Sequence, residues 1–411
     1  MVEQARYPCV GHTVTNRKAK TMHRTTRCFV RLKHTLPLVE TPELLSRGIS
    51  EQAITTSLRD YMELINTETS KRSQRSNEGF FTPKNRVNSH LATSLQLYQP
   101  LLSHCLSRWL LVDYKLNFFP YYDLNIVQVY TDLQQSISVG KLVLDYFRKV
   151  FPQDIYNRVN YYLVPLYDST EVNNLNLPEK MQLIPQGTLS TETSFFIEDP
   201  VYVLMLNDVI RYLSQDVVLR NEYNGSIEQC YIDLGSNPAK RFDSMDYWCG
   251  LTCNTCSESL ELKFPVGQET YIPTRMVQLF HVLKHCVPEH RLFALDLPQR
   301  YNHGMLNRLH RLWNRESNGH VSKVDLPFDI FSAENNLEYD KHVTFIPDFT
   351  QIKQLYNSVN DGTKVAQFEG LNEFAQKWMD LEESERIYNN KSLQLPKQLL
   401  LEWCPLGILH G

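Results

Sequence analysis

Cys249, Cys253 and Cys256, with Cys230 not far upstream, stand close enough together to raise a zinc site. Such a site needs three thiolates and one further ligand in a closed tetrahedron. The spacing is irregular and no second pair of ligands follows it. Buried or free thiols are therefore favoured over metal, with a redox-sensitive surface loop behind Asp246-Tyr247-Trp248 as the other alternative. His281-x3-His285 puts two imidazoles on one helical face beside Cys286, but spacing marks no third ligand. Satisfied or exposed histidines are the favoured reading there. From Arg300 to Arg315 the chain is basic, with Arg308, Arg311 and Trp313, groups that could touch RNA phosphates and bases. A solvated helix face against an acidic body is preferred. The chain carries neither a Gly-Lys-Ser/Thr phosphate loop nor a Gly-x-Ser-x-Gly elbow.

The elements that would position these groups follow from periodicity. Glu40 to Ile65 reads as mostly helical, divided near Gly48, and Thr69 to Glu78 reads as a polar link. Leu91 to Leu111 has an apolar face at helical spacing, with a kink or break expected at Pro100. Then the period changes. Leu124 to Tyr130 is a β-rich run, Val139 to Val150 has a narrow helical face, and Val159 to Tyr167 is a second buried strand. Strand, helix, strand in that order is a βαβ unit, which implies an α/β fold with a mostly parallel sheet. A third strand is expected at Val201 to Leu206, followed by a short turn through Val209, Ile210 and Leu213. Val217 to Leu234 reads as a hairpin turning at Glu222-Tyr223-Asn224-Gly225. Thr274 to Cys286 reads as a helix leading to a strand at Arg291 to Asp296. A strand at His342 to Ile346 and helices at Leu371 to Leu381 and Pro396 to Trp403 complete the pattern.

Composition sets limits on function. The 411 residues are 42% hydrophobic and include 22 Tyr, 19 Phe and 5 Trp, too much aromatic surface for a disordered chain. No run approaches the roughly 18 apolar residues of a membrane span. Nine cysteines without a secreted-type framework indicate reduced thiols. Only 15 residues are glycine, about half the usual share of ~7%. That disfavours a tight nucleotide loop, where backbone must approach the ligand. Between Met1 and Val39 eight Lys and Arg face Glu3 alone, a charge of +7, which leaves −11 for the rest of a chain whose net charge is −4. Basic, Thr-rich and acid-poor, residues 1–35 read as a mitochondrial transit segment, with a processing neighbourhood at Arg27-Cys28-Phe29. The acidic remainder argues against general nucleic-acid affinity.

The order of elements resembles the MidA family, the mitochondrial arginine methyltransferases that assist complex I assembly. Gly79-Phe80-Phe81-Thr82-Pro83 is similar to that family's G-D-F-x-T-[SA]-P segment. The block Ile126 to Tyr167, the stretch Tyr202 to Leu213 (family N-E-x-x-D-x-x-P), Tyr231-Ile232-Asp233 and Phe293 to Pro298 (family x-x-D-Y-G) extend the likeness over Leu58 to Trp403. The resemblance implies a Rossmann-like methyltransferase fold with added helical segments, S-adenosylmethionine as cofactor, and arginine dimethylation on a protein subunit.

The functional motifs depart from the family. Its acid-Leu-Gly-x-Gly-x-Gly falls on Thr131-Asp132-Leu133-Gln134-Gln135-Ser136-Ile137, so Leu133, Gln135 and Ile137 take the glycine places. The acid expected to hold the ribose falls at Pro165, with Asp168 three residues on. Asn207-Asp208 keeps an amide and an acid, but the later acid is Arg211 and the proline is Ser214. Asp132, Asp168, Asn207 and Asp208 are the cofactor-facing candidates; no catalytic residue is assigned.

Three regions are expected: a transit segment (1–35), an N-terminal helical region (36–120), and a methyltransferase-like α/β domain with a hairpin insertion and C-terminal helices (121–411). The favoured function is a matrix assembly or scaffold factor, without cofactor, for a respiratory complex or mitoribosome. The alternative is an active S-adenosylmethionine-dependent arginine methyltransferase acting on a respiratory-complex subunit.

Overall fold

The computed structural model describes residues 54–75, 86–166, 177–184, 196–206, 209–234, 239–296, 345, 347–379 and 406–411. Strand β1 (Ile54–Ser57) leads into helix α1 (Leu58–Arg75), and helix α2 (Arg86–Asn117) follows. The expected helix across Ile54 to Ser57 is therefore a strand. Its β-branched residues pair antiparallel with Tyr231 to Leu234, a partner no local pattern announces. The expected polar link from Thr69 is helical as far as Arg75. No break forms at Pro100, which lies inside the 32 residues of α2. One lost backbone bond there is offset by Leu101, Leu102, Cys105, Leu106 and Leu110, all buried in the main core.

Strands β2 (Leu124–Tyr130), β3 (Val159–Pro165), β4 (Met181–Leu183), β5 (Val201–Met205), β10 (His290–Asp296), β11 (Gln367–Gly370) and β12 (Gly407–His410) form one sheet, ordered β11-β12-β10-β5-β2-β3-β4. In chain order within the sheet that is 6-7-5-4-1-2-3. Neighbours from β10 to β4 run parallel, whereas β12 is antiparallel to both β10 and β11. The sheet is thus mixed, with one reversed strand in an otherwise parallel array. β2 and β5 are buried nearly throughout, as strands covered on both faces must be. On one face lie α2, α3 (Leu133–Val150) and α8 (Leu371–Trp378), packed around Trp109, Phe147, Phe293 and Phe374. The other face is covered by α6 (Thr274–Cys286) and α7 (Phe349–Val359), around Phe280, Phe349 and Tyr356. In α3 the buried stripe is Ser136, Ile137, Val139, Gly140, Val143, Leu144 and Phe147. Leu142 and Val150, expected on that face, are exposed. One short helix, α4 (Gln153–Tyr156), links α3 to β3.

A second, antiparallel sheet of five strands joins β1 to β6 (Asp216–Arg220), β7 (Ile227–Leu234), β8 (Ala239–Asp243) and β9 (Glu269–Ile272). Its β6–β7 hairpin matches the expected one and turns through Gly225 at φ 69°, a conformation a side chain resists. Arg59 of α1 ties this sheet together. It donates to Asp216 at 2.6 Å and Asp246 at 2.5 Å, and Gln229 bridges the same two carboxylates. Beside it Arg275 donates to Asp60 and Glu63, both at 2.6 Å.

The Cys249 segment is a helix with one buried face, α5 (Tyr247–Ser259), capped by Asp246, so a surface loop is excluded there. The expected strand at His342 to Ile346 (all but Phe345), the helix at Pro396 to Trp403, Gly79 to Pro83, Arg300 to Arg315 and the 1–35 segment lie outside the described residues.

Candidate functional site

In an open α/β sheet a ligand is received at the carboxyl ends of the parallel strands, where the order of connections reverses. Here that point lies beyond Tyr130, between β3 and β5. Only Thr131 and Asp132 separate strand β2 from helix α3. Asp132 is extended (φ −118°, ψ 113°), and its Oδ1 accepts from the Gln135 N–H at 3.1 Å. The residue is the N-cap of α3, satisfying donors that the helix start leaves open. Burial pushes its carboxyl above the usual range, while the Gln135 and Gln134 N–H groups pull it back.

The three residues at the family's glycine places are part of the packing. Ile137 is 5% exposed in the main core, and Leu133 packs half-buried against it. Gln135 is half-buried, and its Oε1 makes no hydrogen bond. Ser136 Oγ is likewise buried without one. A single water satisfies an atom of that kind; neither atom replaces the exposed backbone that a nucleoside would require. Gly140 serves a different contact. A Cβ there would lie 2.5 Å from Met181 Cε and 3.1 Å from Tyr161, so its bareness lets α3 sit down on β3 and β4.

The described residues at the other strand ends turn inward. β3 ends at buried Pro165, and Leu166 packs into the opposite core cluster. Asp168, Asn207 and Asp208 lie outside the described residues, although Leu206 and Val209 on either side of the pair are fully buried. Beyond β5 the 3-10 turn Ile210–Tyr212 turns Arg211 inward, where its Nη2 lies 2.8 Å from Asp296 Oδ1 at the end of β10. The S-adenosylmethionine expectation meets a two-residue junction with no glycine, a helix start already capped by a carboxylate, and two of the glycine positions occupied by apolar side chains. These residues do not fit that cofactor.

The remaining candidates resolve differently. Cys249, Cys253 and Cys256 share the buried face of α5, and burial pushes the Cys256 thiol up to about 12. Cys253 Sγ lies 3.6 Å from Met245 Sδ. His281 and His285 stack at 5.9 Å on α6, while Lys284 between them pairs with Asp361 at 2.6 Å. Among the described residues no three His, Cys, Asp or Glu side chains converge as a metal site. A cavity of about 250 Å³ lies between Leu213, Tyr271, Met276, Phe345 and Ile352. That is below the roughly 300 Å³ at which ligand sites begin. Sequence reasoning missed Arg59 with Asp216 and Arg211 with Asp296, because 157 and 85 residues separate the partners.

The family model described as "Putative S-adenosyl-L-methionine-dependent methyltransferase" matches residues 105–363. The "Protein arginine methyltransferase NDUFAF7 homolog, mitochondrial" of Saccharomyces cerevisiae is 32% identical over 404 residues, covering 94% of this chain and 98% of that protein. A solved structure from Burkholderia thailandensis, bound to S-adenosyl-homocysteine, is 12% identical with a TM-score of 0.47, covering 90% of this chain and 89% of that one. The plantazolicin methyltransferase BpumL in complex with S-adenosyl-homocysteine is 10% identical with a TM-score of 0.32, covering 85% and 95%.

Proposed function

Since the chain belongs to the MidA family of S-adenosylmethionine-dependent methyltransferases, we propose that it is a non-catalytic member, a protein-binding scaffold that keeps the fold without the cofactor. Its setting is the mitochondrial matrix, reached through the basic segment 1–35. Its partner is a protein of an assembly pathway, for a respiratory complex or the mitoribosome. The leader charge of +7 and the mitochondrial relative support the location. The division into a leader, a helical region to residue 120 and an α/β domain from 121 belongs to the same reading.

One observation carries the non-catalytic reading. The strand-to-helix junction is Thr131-Asp132, after which Leu133, Gln135 and Ile137 stand where the family has glycine. A side chain at each position takes the room through which cofactor reaches backbone, and the Asp132 carboxylate already occupies donors at the helix start. Pro165 in place of the ribose acid removes a charge-assisted hydrogen bond of about 1.5–3 kcal/mol. The rival reading is an active arginine methyltransferase, as the yeast relative is named. In it Asp132, Asp168, Asn207 and Asp208 would face cofactor or substrate.

Calorimetry of the full chain with S-adenosylmethionine decides between them. No heat of binding at millimolar ligand is expected. A dissociation constant in the micromolar range would establish the rival.

A further inference from the structure

Met245 stands just ahead of the Asp246 cap of α5, and Cys249 and Cys253 follow at intervals of four residues. At that spacing side chains lie one above another on a helix face. The Cys253 thiol donates to Met245 Sδ at 3.6 Å. The Cys249 thiol faces Cys253 across one turn, and that contact first, then burial, pushes it well above the usual thiol range. Three sulfurs are thus linked in one chain. Val218, Phe264 and Ile272 enclose them, with Ile227 and Leu262 at the margin. Cys230 and Cys256 belong to two other apolar clusters and stay apart.

A lone buried cysteine behaves as a small hydrophobe and needs no explanation. This helix asks for one. Its buried face is Cys249, Thr252, Cys253, Thr255 and Cys256, where a core helix ordinarily carries leucine or isoleucine. Spacing agrees with a shared ligand. Three sulfurs around one ion, each bonded at about 2.3 Å, stand roughly 4 Å from one another. The 3.6 Å contact has to open only slightly.

We infer that Met245, Cys249 and Cys253 form a three-sulfur site for a soft monovalent metal ion, Cu(I). Ligand type selects the ion. A closed zinc site takes four ligands from thiolate, imidazole and carboxylate, whereas a thioether beside thiolates suits Cu(I). Among the described residues no further His, Cys, Asp or Glu joins the two thiols. The neighbouring carboxylate is already held, since Asp246 accepts from Arg59, Gln229 and the Cys249 N–H. Binding releases one proton from each thiol to solvent and leaves two thiolates on the ion. Cys249 lies in the first turn of α5, whose N-terminal end favours that negative charge. Met245 is half-buried and meets solvent first, which gives the ion its way in. The site lies against the second sheet, so it holds whether or not the crevice takes cofactor.

The test uses the full chain, reduced and free of oxygen, with one equivalent of Cu(I) in competition with bathocuproine disulfonate. The ion is expected to stay on the protein, with three sulfur neighbours in X-ray absorption. Cys249→Ser and Cys253→Ser should each weaken retention by roughly a hundredfold, and Met245→Leu by about tenfold with one sulfur neighbour fewer. Met245→Leu keeps the bulk of the side chain, so it decides alone should either cysteine variant fail to fold. Cys286→Ser, outside the set, should hold copper as the parent does. Loss of copper from the parent to the chelator overturns the proposal. So does retention indifferent to Met245→Leu and to both cysteine changes, or an equal loss in Cys286→Ser. Zinc held in its place, sensitive to the cysteines and not to Met245, also overturns it.

Discussion

Arg211 and Asp296 meet in the interior at the carboxyl ends of β5 and β10, with Arg211 Nε 3.0 Å and Nη2 2.8 Å from the same Oδ1. Their side chains are 5% and 0% exposed. Asp296 stands at the acid of the D-Y-G turn, and Arg211 stands where the MidA family places its later acid. Where the resemblance implies an acid this chain has a base, and two of its nitrogens reach one oxygen of the Asp296 carboxylate. A pair turned inward in this way agrees with the proposed scaffold reading, in which neither side chain has a substrate to meet.

Breaking that pair should be expensive. Arg211→Ala takes from a buried carboxylate the guanidinium it pairs with, and a loss of about 3–5 kcal/mol is expected. Arg211→Asp, which restores the family residue, should be worse, because two carboxylates would then face each other. The paired change Arg211→Met with Asp296→Leu should recover most of the loss. Urea midpoints of the three variants measure this; a midpoint for Arg211→Ala equal to the parent's would show that the pair holds nothing.

Asp132 should behave as a cap and not as a ligand. Asp132→Ala is expected to cost about 0.5–2 kcal/mol, and Asp132→Asn only a fraction of that, since an amide oxygen also accepts from the Gln135 N–H. Neither change should alter the response to S-adenosylmethionine. A stability unchanged by Asp132→Ala, alongside a cofactor affinity that falls, would place the carboxylate in a binding site.

Much of the main sheet was legible because its signals are local. The runs that became β2, β3, β5 and β10 are apolar on both faces, and α3 and α6 repeat at helical spacing. The failures share a cause as well. β1 is four residues long and owes its conformation to β7, about 177 residues away. The final strand Gly407–His410 is equally short, and it is defined by β10 and β11 on either side. α5 hides because its buried face is Cys249, Thr252, Cys253, Thr255 and Cys256, with no leucine stripe to announce a helix. At the crevice the missing glycines could be seen in the residue order. What could not be seen was that Asp132 caps α3 and that Arg211 finds Asp296.

Restoring the glycines should damage the protein without restoring the site. Leu133→Gly, Gln135→Gly and Ile137→Gly each place a poor helix former in the first turns of α3, at about 1 kcal/mol apiece. Ile137 is 5% exposed, so its loss also opens a cavity of the sort that costs about 2–5 kcal/mol. The triple variant is expected to lose about 4 kcal/mol or more in urea and to remain silent in calorimetry with S-adenosylmethionine. Binding regained at small cost in stability would show a cradle that is merely plugged.

Acid should expose a group on the far side of the sheet. His290 is fully buried at the start of β10, its Nδ1 2.7 Å from the Val287 carbonyl and its Nε2 2.9 Å from the Tyr356 hydroxyl. The carbonyl can only accept, so Nδ1 carries the proton and Nε2 accepts from Tyr356. Burial, with the nearby Lys364 charge, lowers the pKa from 6.5 to about 4. A depressed folded pKa means that the unfolded chain takes the proton first. The stability from His290 is therefore complete above pH 6.5 and is lost as pH falls toward 4, by roughly 2–4 kcal/mol in all. His290→Gln cannot be protonated and should flatten that part of the profile. Carboxylates titrate in the same window, so the quantity to measure is the difference in unfolding free energy between parent and variant from pH 7.5 to 4. A difference that stays constant across that range would mean that His290 takes its proton alike in the folded and unfolded chain, so that burial does not depress it.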